Sequence, residues 1–358
     1  MLSSDNKEAF LSLVRLGIGH HSGVRPKNID WSEIEALATE QGLAAVVVDG
    51  VDMLPLEQRP PKQVLLQWIG ETLQSYEYRY DQYCRAISDL AGFYNAHGFK
   101  MMVLKGYACS LDWLKPEHRP CGDIDIWQFG KQKEADAVLA KEKGIKVDKS
   151  HHHHTVFYWR NFMVENHYDF VNVYGHESSR ELEKVFKQLG NDGSHSVEVY
   201  GERVYLPSPN LHALFLLRHM VSHFASTELN LRQILDWGFF VKTHTKEIDW
   251  KWLVCKLEKY HMRDFYNCLN AICVENLGFD ISIFPKVQFG PALKERILND
   301  TLSPEFVGPP PSGVIHRIVF KYKRWKAKDW KQRLCYKDSR LVAFWRGVWS
   351  HIVKPSSI

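Results

Sequence analysis

No stretch of the 358 residues approaches the roughly 18 consecutive apolar side chains that a membrane-spanning helix requires. The opening Met-Leu-Ser-Ser-Asp-Asn-Lys-Glu has no basic segment followed by an apolar one, so no signal peptide is read. Cysteine occurs seven times, at Cys84, Cys109, Cys121, Cys255, Cys268, Cys273 and Cys335, and never as CxxC. An odd, scattered set indicates neither a disulfide framework nor a zinc site. These absences lead to the expectation of a cytoplasmic protein. Excess charge is scarce too: a net +4 is too small to imply a nucleic-acid partner. No internal repeat is visible. What remains is 45% hydrophobic and 25% charged, ordinary for a globular chain, with aromatics high at 13%. The length suggests two domains and a sizeable core.

Residues 1–98 read as helical. Asp30-Trp-Ser-Glu33 fits a helix start, with Asp30 as N-cap and Glu33 at N3. After Pro60-Pro61, apolar and aromatic residues from Val64 to Tyr94 recur at three- and four-residue spacing, predicting one long helix that ends at His97-Gly98. From Phe99 the period changes. Strands are expected over Lys100–Leu104, Asp123–Trp127, Thr155–Arg160 and Phe162–Phe170, and helices over Tyr107–Trp113 and Lys131–Lys143. A short strand, Arg203–Leu206, closes this 99–206 core after a helix at Leu182–Leu189. The order predicts an α+β fold: a small mixed sheet with packed helices, flanked by helical N- and C-terminal regions. Helices return over 207–307, and Gly308-Pro-Pro-Pro-Ser-Gly313 reads as a linker.

Residues 316–354 carry a local net charge of +10, punctuated by Trp325, Trp330, Trp345 and Trp349. Such a segment binds single-stranded nucleic acid or an anionic membrane, or it is a terminal helix whose tryptophans pack on the body. The helical spacing of its aromatics favours packing.

Asp123-Ile-Asp125 carries the chemistry. In a strand, residues i and i+2 share a face, so the two carboxylates stand together while Ile124 and Ile126 point to a core. Adjacent carboxylates repel unless a cation lies between them, and hard oxygen ligands suit Mg²⁺. A polar edge strand with two solvated aspartates would read the same. A third acid stands in Phe162-Met-Val-Glu-Asn-His-Tyr-Asp-Phe170, where Glu165 lies mid-strand with His167 and Asp169 on its face. A mid-strand glutamate is costly to bury without a cation or donor, which favours a ligand; the solvent face of a hairpin is the other reading. His151–His154 form an internal run before this strand pair, read as a solvated loop or adventitious chelator with one member able to reach the cleft. His219 and His223 lie at i, i+4 on one helix, and so do Arg232 and Asp236 on the next. His219 is followed by Met220, so HExxH and a metalloprotease of that kind are excluded.

Leu104-Lys105-Gly106, then Arg119-Pro-Cys-Gly-Asp123-Ile-Asp125, then Val164-Glu165-Asn166-His167, in this order, resemble the nucleotidyltransferase superfamily of the DNA polymerase β type. More closely, the chain is similar to the bacterial uncharacterised nucleotidyltransferase family over most of its length. The resemblance implies transfer of a nucleoside monophosphate from an NTP to a hydroxyl acceptor, a small molecule or a protein, with two Mg²⁺ ions. Asp123 and Asp125 would hold both ions, and Glu165 the acceptor-side one. Lys105, Gly106 and Tyr107 would hold phosphates at a strand-to-helix turn, with Arg119 as a phosphate partner or a loop salt bridge. Arg232, Asp236, His219 and His223 would meet the nucleotide, unless Arg232 and Asp236 form an internal pair beside core histidines. Tyr107 stands where the superfamily usually has a second small residue. The alternatives are a catalytically silent nucleotide-binding or interaction module, an antitoxin-like enzyme modifying a partner protein, or a nucleic-acid-modifying enzyme using the basic tail.

Overall fold

The computed structural model describes residues 3–20, 29–285, 289–305, 311–339, 342 and 345. Two compact units are present. Of the described residues, one comprises those of 1–72, Leu217–Thr245 and those of 250–340, and the other Leu73–Leu216, Lys246–Asp249, Val342 and Trp345.

The first unit is helical. Asp30 accepts hydrogen bonds from the Ser32 and Glu33 amides and caps the helix Trp31–Glu40, as its sequence position predicts. Asn230 and Gln233 cap each other's backbone at the start of Leu231–His244, which satisfies two amides that the helix end would leave open. The helix Pro291–Leu302 lies within the 207–307 stretch expected to be helical, although the sequence pattern places no helix at those residues. In the basic segment, Val314–Ala327 and Asp329–Cys335 are helices. Its tryptophans divide: Trp330 lies edge-on to Phe224 at 5.3 Å, whereas Trp325 and Trp345 are 37% and 65% exposed. Trp349, and Gly308 to Pro310 of the expected linker, lie outside the described residues.

The second unit holds a six-stranded mixed sheet: β1 (Met102–Val103), β2 (Ile124–Trp127), β3 (His154–Trp159), β4 (Phe162–His167), β5 (Ser196–Val199) and β6 (Glu202–Tyr205). Their spatial order is β3-β4-β2-β1-β6-β5. β2 runs parallel to β4, and β1 parallel to β6; the other three pairs are antiparallel. β5 is absent from the sequence reading, because Ser196-Val-Glu-Val199 is short and half polar. Its turn is legible, since Tyr200 and Gly201 both take positive φ, the hairpin conformation that glycine favours. β4 stops at His167, short of Phe170, because the Tyr168 and Asp169 amides turn to the His153 carbonyl.

The expected long helix is helical from Lys62 to Ala96, with a π-helical stretch at Thr72–Tyr78. Its last part, Arg79–Ala96, lays Tyr83, Ile87, Leu90 and Tyr94 against Val103, Ile124, Ile126 and Val164 of the sheet. Each such side chain contributes about 1.5–3 kcal/mol by leaving water. Ile124 and Ile126 are fully buried in this core, as period-2 alternation requires, so Asp125 projects from the other face of β2.

Candidate active site

Parallel pairing of β2 with β4 places Asp125 directly opposite Glu165 and Trp127 opposite His167. The hairpin places His154 opposite His167 across β3 and β4. Four polar side chains from three neighbouring strands therefore share one patch of the sheet face. Among the described residues, two sets bring potential ligand atoms within 4.8 Å of one another: Asp125, Glu165 and His167, and His153, His154 and His167. Asp123, one residue before β2, is in neither set; its backbone carbonyl accepts the Tyr83 hydroxyl at 2.8 Å.

Lys105 opens the short helix Lys105–Ser110. Its Nζ lies 2.6 Å from Asp125 Oδ1, so in this state the ammonium pairs with the carboxylate expected to hold a cation. His167 Nε2 stands 3.0 Å from the same oxygen and 3.6 Å from Glu165 Oε2. His154 Nδ1 is 3.6 Å from Glu165 Oε2.

The electrostatics follow from this packing. Burial opposes charge on Asp125, but Lys105 and His167 override it and hold the carboxyl well below its ordinary range. Burial likewise works against Lys105, yet Asp125 and Asp123 raise its pKa, so the ammonium stays charged. For His167, burial lowers the pKa, but the hydrogen bond to Asp125 and the nearby Glu165 carboxylate outweigh it and lift the imidazole to about 9, making it a cation at neutral pH. Glu165 is lowered despite burial, chiefly by the His167 imidazole 3.6 Å away. Burial pushes His154 down to about 4, so it is neutral. Asp123 moves the other way: burial first, and then the charge of Asp125, raise its carboxyl. Lys105 and His167 already offset the charge of Asp125, and Asp123 lies outside the 4.8 Å set, so the oxygen donors gathered in this patch are those of Asp125 and Glu165, of the hard kind that Mg²⁺ takes.

Gly106 has φ 30° and ψ −97° inside the short helix Lys105–Ser110. A Cβ there would lie 2.5 Å from the Tyr83 hydroxyl. The Tyr107 side chain is buried in the sheet core. Arg119 is buried, and its Nη1 donates to the Pro120 carbonyl at 3.3 Å. Arg232, Asp236, His219 and His223 belong to the helical unit, where the two histidine rings lie 4.4 Å apart and Asp236 is buried.

Adjacent parallel strands carrying apposed acids, behind a glycine turn on a mixed sheet with packed helices, make this an α+β protein. A family model described as "Uncharacterised nucleotidyltransferase" matches residues 27–278, more than half of the chain. The chain belongs to that family. No curated protein matches it. Among solved structures it is similar to an antigenic nucleotidyltransferase-like protein from Paracoccidioides brasiliensis, at 14% identity and a TM-score of 0.36, over 56% of this chain and 95% of that one. A likeness that low carries no argument. Among the described residues no helix is long and apolar enough to cross a membrane.

Proposed function

We propose that the protein is a Mg²⁺-dependent nucleotidyltransferase moving a nucleoside monophosphate from an NTP to a hydroxyl acceptor. The observation that supports it is the register pairing Asp125 with Glu165 on parallel neighbours, with the Lys105 ammonium against Asp125. Asp123, Asp125 and Glu165 would hold the ions, which when bound neutralise charge on the transferring phosphoryl group. Lys105 keeps a positive charge at neutral pH in the same patch and attracts the NTP phosphates. His167 orients both acids, since its Nε2 reaches each of them. Most of the rate gain in this chemistry is positioning and charge complementarity, which these fixed groups supply.

A second reading, a silent nucleotide-binding module, is favoured by two observations: Lys105 and His167 already pair with Asp125, and Tyr107 is buried where a second small residue is usual. The test is pyrophosphate release from labelled NTPs with Mg²⁺ against a panel of hydroxyl acceptors, proteins included. Transfer predicts release that falls at least ~100-fold in Asp125→Asn and in Glu165→Gln. Thermal stabilisation by NTP and Mg²⁺ with no release would establish the silent module instead. Release unchanged in both variants would remove these acids from the mechanism.

A further inference from the structure

The acids of the proposed transfer site do not account for the histidines beside them. His153, His154 and His167 bring ligand nitrogens within 4.8 Å of one another. We infer that they form a binding site for a borderline transition-metal ion of the Zn²⁺ or Co²⁺ type, distinct in ligand chemistry from the carboxylate site for Mg²⁺.

Three observations carry this. First, the Nδ1 atoms of His153 and His154 are buried and make no hydrogen bond, and His154 as a whole is only 7% exposed. A buried polar atom without a partner is expensive, and a bound metal ion satisfies an imidazole nitrogen directly. Second, the backbone places these rings by construction. His154 and His167 face each other in the β3–β4 ladder, and the His153 carbonyl accepts the Tyr168 and Asp169 amides, each at 3.0 Å. The end of the histidine run is therefore tied down to the strand that carries His167. Third, His167 Nδ1 lies 3.2 Å from the Asp169 carbonyl, which can only accept. Nδ1 thus keeps its proton, and Nε2, which holds a second proton against Asp125 at 3.0 Å in the metal-free protein, gives that proton up when it turns to the ion, while the Nδ1 bond holds the ring as in metal-binding histidines.

The ligand type selects the metal. Imidazole nitrogens suit Zn²⁺, Co²⁺, Ni²⁺ and Cu²⁺, whereas Mg²⁺ prefers oxygen donors. Tetrahedral zinc with bonds near 2.1 Å sets ligand atoms about 3.4 Å apart, so the cluster closes by shifts on the order of 1 Å. Glu165 Oε2, 3.6 Å from both His154 Nδ1 and His167 Nε2, lies between the two donor sets, so the three histidine nitrogens define this site. The other two members of the run, His151 and His152, are outside the set. That separates a built site from chelation by a histidine tract.

The inference does not depend on nucleotidyl transfer, and its test contains no nucleotide. Metal-free full-length protein is titrated with Co²⁺, read by its visible ligand-field bands, and with Zn²⁺, read calorimetrically. The expected result is one equivalent bound, with a tetrahedral Co²⁺ spectrum that a large excess of Mg²⁺ leaves intact. Affinity should fall ~100-fold in His153→Ala and in His154→Ala and stay unchanged in His151→Ala/His152→Ala. Should His154→Ala unfold, His153→Gln, outside the strands, gives the same reading. Equal affinity in wild type and His153→Gln would overturn the inference. So would equal loss in His151→Ala/His152→Ala, which means chelation by the tract, or displacement of Co²⁺ by Mg²⁺, which means the carboxylate site alone.

Discussion

Gly106 is fixed by a neighbour that the sequence does not reveal. The Tyr83 hydroxyl that holds the Asp123 carbonyl at 2.8 Å also stands where a Cβ on residue 106 would go, 2.5 Å away. With φ at 30°, Gly106→Ala meets both strain and overlap, and we expect a loss of about 2–3 kcal/mol, read as a lower Tm. An unchanged Tm would mean that Tyr83 moves aside freely. The sequence singles out Gly106 as a phosphate turn; the packing adds a second reason for glycine. Lys105 shows the same limit. A lysine at a strand end is visible in sequence, but its partner Asp125 lies twenty residues on, on the next strand, so the ion pair is set by the β1–β2 pairing.

At the level of elements, the β3–β4 hairpin is the most legible part of the site. Its two-residue loop, Arg160–Asn161, sets Trp159 opposite Phe162, and counting back puts His154 opposite His167. The histidine run could have been assigned to the cluster from that register alone. The polar network of Asp136 with Thr155 at 2.8 Å and Asn166 at 2.8 Å ties the helix Gln132–Lys143 to both strands. The helix Glu177–Gly190 brings a different constraint. Glu183 accepts from the Val171 amide at 3.0 Å, but its Oε1 is buried with no hydrogen bond, and burial pushes the carboxyl up to about 7. Its pKa is raised in the folded state, so the folded chain binds this proton more tightly than the unfolded one. The contribution is full below the ordinary value of 4.5 and is lost as pH rises toward about 7. Urea unfolding of Glu183→Gln and wild type should therefore diverge between about pH 5 and about pH 7.5, with wild type losing on the order of 2–3 kcal/mol relative to the variant. Parallel curves would mean that Glu183 ionises normally in the fold.

Over the whole molecule, burial sorts the seven cysteines. Cys255 is exposed and Cys121 half-buried, while Cys84, Cys109, Cys268, Cys273 and Cys335 are buried. Burial also raises the thiol pKa, to about 11 at Cys84 and Cys268, which suppresses the reactive thiolate. A disulfide reagent on native protein should modify Cys255 quickly and Cys121 more slowly, with the other five reacting only at the unfolding rate. Mass mapping of the labelled sites checks this, and early labelling of any of the five would expose an opening of its unit well below global unfolding. The basic segment divides the same way: helical spacing is visible in sequence, but whether a tryptophan packs, as Trp330 does, or stands exposed, as Trp325 does, depends on what the fold puts beside it. Local pattern accounts for the α+β class, the caps such as Asp30, the shared face of Glu165 and His167, and the inward aim of Ile124 and Ile126. These are local: periods of 2 and 3.6 and turn chemistry act within a few residues. Long-range packing sets the rest: β2 lies parallel to β4 with Asp125 against Glu165, Lys105 pairs with Asp125, and Asp123 stands outside the tight ligand set. Parallel neighbours have no connecting turn to fix their register, so burial of Ile124 and Val164 in one core sets it, and the site follows from that register.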